Sequence, residues 1–458
     1  MKKNFEMNMS EGKILGKLII YSIPLICTNV LQLLFNAADV AVLGMFVSDD
    51  AVAAVGATGA LINLIIGLFV GLSVGANVLV ARFAGEQNMD SSHKTVSTSV
   101  IVSLIAGLFL AFIGFFFAET FLKWTNCDPE VIGMATKYLK IYFIGMPIML
   151  LYNFCASILR AVGDTLRPLI FLVIGGLVNV GLNIFFVAVL KKDVEGVAIA
   201  TVASQAISAV LSIIVPLKGN GYARLDMKKF RVYFPELKEM TKIGFPAGLQ
   251  GCVFSISNVL IQATINTFSK SYMTANTVAS QFDGFIYNAM NAVSLATLAF
   301  VSQNLGAKKI ERIRVVVRES CAIVTVLGLV LGGIVILLSE PLCRIMTKDE
   351  SIIKIAQLRL YILASTYFTC GIMDVMSNCM RGLGKSTTAM IVSLSGSCLF
   401  RIVWLNTFYL LNPTIEMVYI VYPISWVLTV GVYMLMYFPT IKKVKRNIEE
   451  TAKIEANG

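Results

Sequence analysis

"LRAVGDT" at residues 159–165 is echoed by "MRGLGKS" at 380–386. Arg160 and Arg381, and Gly163 and Gly384, are each 221 residues apart. The same offset pairs Gly85 with Gly306, Ala135 with Ala356 and Leu139 with Leu360, and Pro24 precedes Pro246 by 222. A register held over that length reads as two copies of one unit. The expected organisation is an N-terminal lobe at 1–217, a linker at 218–237, a C-terminal lobe at 238–441 and a tail at 442–458.

The composition says what kind of unit is repeated. Of 458 residues, 57% are hydrophobic and only 14% charged, with a mean hydropathy of +0.78. A soluble domain carries about 25% charged residues. The apolar residues come in long runs with the charges between them, which is the pattern of a polytopic membrane protein. Twelve spans are expected, near 17–46, 51–81, 95–118, 131–158, 168–190, 194–217, 240–268, 273–303, 319–339, 353–379, 387–411 and 415–440. Most exceed the ~20 residues that cross the hydrocarbon. Six spans per lobe start both lobes on the same side, so the repeats are parallel, as in many secondary transporters. The fold class is therefore all-α and polytopic, with twelve transmembrane helices in two parallel-repeat six-helix lobes around a central cavity.

Of the 38 Lys and Arg, 27 fall in segments on the side of the N-terminus and 10 in the opposite segments and adjoining span ends, Arg359 among them. Only Arg401 lies deep in a span. The positive-inside rule puts both termini in the cytoplasm, and the expected location is the cell membrane. The net charge of +11 is then a topology signal and not a nucleic-acid footprint. Nine cysteines form no Cys-x-x-Cys pair, and the lone His93 sits in a polar loop. This argues against a disulfide framework, a resident metal, a catalytic triad and any cofactor. No loop is long enough to hold an enzyme domain. "RGLGKST" at 381–387 has Cys379 where a phosphate-binding loop needs its first glycine, and no strand precedes it. The first apolar run is too long for a cleaved signal peptide.

Ionisable residues inside a span are costly and face a cavity or a partner. The acids deepest in spans are Asp39, Asp283 and Asp374. In "NAADVAVLG" at 36–44, Asp39 ends a stripe of Asn29, Gln32, Asn36 and Asp39, spaced 3, 4 and 3 on one helical face. The fifth span carries Gly175, Asn179 and Asn183, and the sixth Thr201, Gln205, Ser208 and Ser212. Either stripe alone is ordinary interhelical bonding. Together with Asp39 they describe a hydrated pocket. The second lobe offers Asn276, Ser280, Asp283, Tyr287, Asn291 and Ser294 on the eighth span. The tenth adds Thr366, Cys370, Asp374, Ser377 and Arg381. Arg401 is either a counterion of Asp374 or Asp283, or a substrate contact. By the 221 offset Asp374 matches Asn153, so the lobes are chemically unequal. Gly59, Asn63, Gly67, Gly71 and Gly75 form a close-packing face on the second span.

These features resemble the multidrug and toxic compound extrusion (MATE) family over nearly the whole chain. The stretches that carry it are "IPLICTNVLQLLFNAADVAVLG", "ARFAGEQN", "LRAVGDTLRP", "GVAIATVASQ" and "FVSQNLGA". The resemblance implies export of organic cations and other amphipathic compounds, driven by inward H⁺ or Na⁺. It is closer to the DinF-like branch, in which a first-helix Asp binds the coupling ion, and Asp39 matches it. That branch's fifth helix presents Asn, three residues, then Asp, whereas here the pair is Asn179 and Asn183. Thr201 matches a further polar member. The NorM-like branch's seventh-helix Glu has no counterpart in "FPAGLQGCVF", although Asp374 falls in the tenth-helix acid region. The coupling-ion set is thus Asp39, Asn179, Asn183 and Thr201, with transient Na⁺ at Asp39. The substrate or cavity set is Gln32, Asn36, Asn153, Gln205, Asp283, Tyr287, Asp374 and Arg401. The expected partners are a small cationic or amphipathic molecule, H⁺ or Na⁺ and the bilayer, with the protein a monomer. A lipid-linked oligosaccharide flippase and, less well supported, a channel are the alternatives.

Overall fold

The computed structural model describes residues 6–125 and 127–457. Residues 1–5 of the first basic segment lie outside it. Seventeen α-helices account for the spans, and the described residues contain no strand. In chain order the first seven are α1 (Ile14–Phe46), α2 (Asp49–Gly85), α3 (Met89–Trp124), α4 (Ile132–Ile144), α5 (Met146–Ala161), α6 (Leu166–Ile184) and α7 (Val194–Lys218). Next come α8 (Phe234–Ile265), α9 (Lys270–Gly306), α10 (Ile310–Leu337), α11 (Ser339–Met346), α12 (Glu350–Ala364) and α13 (Tyr367–Gly382). The last are α14 (Ser386–Ser393), α15 (Phe400–Leu405), α16 (Phe408–Leu411) and α17 (Ile415–Asn457).

Among the described residues, ten helical segments are long and apolar enough to cross a membrane. Two further crossings are bent pairs, α4 with α5 at 52° and α12 with α13 at 45°, which brings the number to twelve. Their bends stand at equivalent places in the repeat, at Gly145 and at 365–366. Several helices outrun their apolar spans. α10 begins inside the basic segment that holds Arg312, Arg314 and Arg318, and α17 continues through the tail, where Arg446 and Glu450 pair at 2.7 Å across one turn.

The backbone repeats with the sequence. α2 and α9 end at Gly85 and Gly306, and α3 and α10 start at Met89 and Ile310. Positive φ recurs at Gln87 (57°) and Lys308 (55°), and at Gly163 (88°) and Gly384 (76°). The last two turn the chain from α5 into α6 and from α13 into α14. A Cβ on Gly163 would also lie 2.5 Å from the Met7 carbonyl oxygen, so the close approach demands glycine as much as the φ does. Ala135, Leu139, Ala356 and Leu360 are all fully buried, so the repeat partners occupy core positions in both halves.

The chain divides into two compact units, Met1–Asn8 with Cys27–Gly248, and Met9–Ile26 with Leu249–Gly458. The early part of α1 therefore counts with the second unit, where Tyr21 meets the Phe300 ring edge-on at 5.5 Å. The early part of α8 counts with the first. There Gly71 and Gly75 of α2 abut Gly248, Gly244 and Met240 so closely that an added Cβ would sit 2.2 Å from backbone. Gly59 and Gly67 of the same stripe have open space beside them. The glycine face thus packs a helix only over its last two turns.

Candidate functional site

Asp39 sits in the last third of α1, half-buried, and three helices meet at its carboxylate. From α6, Asn183 Nδ2 donates to Asp39 Oδ1 and, at 3.2 Å, to Asn179 Oδ1. From α7, Thr201 Oγ1 donates to Asp39 Oδ2 at 3.3 Å and accepts from Asn179 Nδ2 at 3.4 Å. The spacing of four between Asn179 and Asn183 stacks the two amides on one face of α6, and both are buried. Among the described residues no cation pairs with Asp39. The Oδ1 of Asn183 is buried and accepts no hydrogen bond. A buried acceptor without a donor is costly, so this oxygen stands beside Asp39 with its hydrogen-bonding capacity unused.

Two neighbouring features were not readable in the polar stripes. Tyr138 and Tyr142 of α4 stack with centroids 6.0 Å apart, within electrostatic reach of Asp39. One residue past the end of α6, the helix loosens into a π turn at Phe185–Val189. Such turns cluster at functional sites because they free backbone groups and re-aim side chains. Gln32 and Asn36 are exposed on α1 and Gln205 is half-buried on α7. None of them joins the hydrogen bonds around Asp39 among the described residues. Asn153 instead bonds back to the Met149 carbonyl within α5 at 2.9 Å.

The second unit treats its acids differently. Asp283 of α9 is buried and pairs with Arg359 of α12 at 2.9 Å. Arg359 also donates to the Asn276 carbonyl at 2.8 Å and lies over the Tyr419 ring at 5.9 Å. This corrects two expectations. Arg359 is not an interfacial cation, because α12 is the first part of a bent helix pair and carries it into the packed interior. Arg401 is not the partner of Asp283. Arg401 is buried, donates from Nε to Ser425 Oγ at 3.1 Å and stacks over Tyr422 at 4.4 Å. Asp374 meets Tyr287 and Asn291 as hydrogen-bond donors, with Arg381 nearby. Arg401 stands two residues past a second π turn, Leu394–Leu399.

No group of three or more His, Cys, Asp or Glu able to hold a metal ion occurs among the described residues. All nine cysteines are free thiols. His93 meets the Gly221 carbonyl at 3.1 Å.

The family model MatE matches this chain twice, over residues 24–185 and 246–405. The chain belongs to the MatE family. The two matched segments of this MatE protein open at Pro24 and Pro246, the pair that marks the repeat in the sequence. Among curated relatives, a probable multidrug resistance protein, YoeA of Bacillus subtilis, is 25% identical over 393 residues, covering 84% of this chain and 85% of the relative. The multidrug export protein MepA of Staphylococcus haemolyticus is 20% identical over 459 residues, covering 99% and 100%. A solved outward-facing structure of a multidrug resistance MATE family transporter of the MOP superfamily superposes with a TM-score of 0.90 at 20% identity, covering 97% and 100%. That likeness shows the twelve-helix, two-lobe fold. The chain is thus a multi-pass membrane protein of a transporter family.

Proposed function

We propose that the protein is a cation-coupled antiporter that exports organic cations and amphipathic drugs by alternating access from the cytoplasm of a bacterium. The names of the relatives, multidrug resistance and export proteins, support the cargo class. The observation that carries the coupling is the Asp39 carboxylate held by Asn183 and Thr201, with no cationic side chain paired to it among the described residues. An unpaired carboxylate in an apolar span is stable only when neutralised by a proton, a metal cation or a cationic substrate. Asp39 therefore exchanges one for another. In the outward-open state it takes H⁺, or Na⁺ with oxygens from Asn179, Asn183 and Thr201. Neutralising Asp39 releases the organic cation, and loss of the ion to the cytoplasm restores its affinity.

The first-lobe site favours the DinF-like branch, with Asn183 in place of that branch's second carboxylate. One carboxylate at the site gives one coupling charge there. Asp374, Tyr287 and Arg401 are the second lobe's cargo contacts, and Gln32, Asn36, Asn153 and Gln205 the first lobe's. Both termini lie in the cytoplasm, and the protein acts as a monomer.

The test is efflux of a fluorescent organic cation from proteoliposomes with a pH gradient or a Na⁺ gradient imposed separately. One of the two gradients drives efflux by the wild type, and Asp39→Asn abolishes it. Undiminished driven efflux by the variant overturns the assignment.

A further inference from the structure

The linker after α7 builds a cavity against the start of α3. Its residues 229–233 run beside α3, where Ser97 Oγ donates to the Arg231 carbonyl and accepts from the Arg231 amide, both at 3.0 Å. Thr98 Oγ1 accepts from the Tyr233 amide at 3.0 Å. A 3₁₀ turn at Met227–Lys229, capped by Asp226, precedes this stretch. These bonds fix the linker backbone, so the side chains around the cavity stand on a defined scaffold.

The cavity measures about 420 Å³. Four cations line it, Lys94, Lys228, Lys229 and Arg231, against one acid, Asp90. Lys94 and Lys229 share Asp90 at 2.6 and 2.9 Å. Among the described residues no carboxylate pairs with Lys228 or Arg231. Asp226 and Glu236 act on Lys229 and Lys94 from outside the lining. The Arg231 guanidinium lies over the Tyr233 ring at 4.8 Å, which orients it without using up its hydrogen-bond donors.

Apolar side chains adjoin the cavity. Phe230, in its lining, is 39% exposed, and its chain neighbours Met227 and Phe234 are 60% and 77% exposed. α3 turns from Ser and Thr to apolar side chains just past Ser99, and α8 starts at Phe234. The cavity therefore stands where two spans enter the hydrocarbon. Cations at headgroup level beside aromatic side chains at acyl level match an anionic phospholipid. A free anion would satisfy the cations but leave these apolar side chains in water.

We propose that this cavity binds the phosphate headgroup of an anionic phospholipid, with Lys228 and Arg231 on the phosphate and Phe230 and Phe234 against the acyl chains. The site uses none of the residues around Asp39 and stands whether or not the transport reading does.

The test is binding of fluorescent phosphatidylglycerol, with phosphatidylcholine as control, to the purified full-length protein in a neutral detergent. No substrate or ion gradient is present, so failure here leaves the efflux test untouched. Wild type binds phosphatidylglycerol at least about tenfold more tightly than phosphatidylcholine, and Lys228→Glu with Arg231→Glu removes that preference. Phe230→Ser with Phe234→Ser, charges intact, weakens lipid binding severalfold and supplies an independent reading if the charge reversal fails to fold. Soluble glycerol phosphate competes only weakly. Equal affinity for the two lipids, retained preference in the charge reversal, unchanged lipid affinity in the Phe variant, or competition by glycerol phosphate as strong as by the lipid would each overturn the proposal.

Discussion

The two halves share a backbone repeat and differ in how each holds an acid within a span. In the first, Asp39 is met by the Asn183 amide and the Thr201 hydroxyl, with Asn179 bonded to both of them. In the second, Asp283 is met by the Arg359 guanidinium at 2.9 Å. A carboxylate held by neutral donors keeps its negative charge available to a mobile cation. One held by a guanidinium has its charge cancelled and serves the fold. The two acids stand on α1 and α9, which the repeat does not match to each other, so the halves differ both in where the acid sits and in what holds it.

The largest effect should come from unlocking the second half. Arg359→Ala strands Asp283 in the interior and should cost about 3–5 kcal/mol, the penalty for leaving one partner of a buried pair. Thermal melting in detergent should show a large drop, and adding Asp283→Asn should recover much of it. A single variant that melts like the wild type would break the contrast.

Next in size is a change within the first half. Asn183→Asp puts a second carboxylate beside Asp39, so the pair holds a proton or Na⁺ more tightly. Driven efflux should then change its dependence on pH or Na⁺ concentration, with folding unaffected. An unaltered dependence would mean that Asn183 does not share the ion site.

The smallest effect lies in the repeated loop. Asp164 and Lys385 stand 221 residues apart after matching glycines, yet Asp164 is buried and Lys385 exposed. Burial pushes the Asp164 carboxyl up from 3.8 to about 6, against the pull of Arg167 and with help from Glu6. Between these values the folded protein binds more protons than the unfolded chain. Stability therefore falls as pH rises from about 4 to about 6, and the cost is complete above that. Asp164→Asn should remove this slope and raise the melting temperature by about 2 °C above pH 6. The gain should vanish toward pH 4. Asn can still accept from the Arg167 amide, which Asp164 holds at 3.1 Å.

Much of this was legible in the chain. Glycine and arginine at a fixed offset gave the repeat, because a φ near +80° and a tight loop tolerate few residues. Hydropathy gave the crossings, since the bilayer admits few charges. Helical spacing placed Asp39, Asn179, Asn183 and Thr201 on faces that the structure brings together. Arg359 was missed because a cation near the end of an apolar run reads as interfacial, and only the packing of α12 on α9 carries it inward. The bend between α12 and α13 has no proline to announce it. Tyr138 and Tyr142 escaped because a phenol looks apolar in a periodicity pattern. The basic cavity was invisible because long-range bonds from Ser97 and Thr98 give the linker its shape.

If Asp39 holds either the coupling ion or the substrate, binding of one must displace the other. Titrating an organic cation into the detergent-solubilised protein, while following H⁺ or Na⁺ released, measures that exchange directly. About one ion should be displaced per cation bound by the wild type and none by Asp39→Asn. Equal release from the two proteins would contradict it.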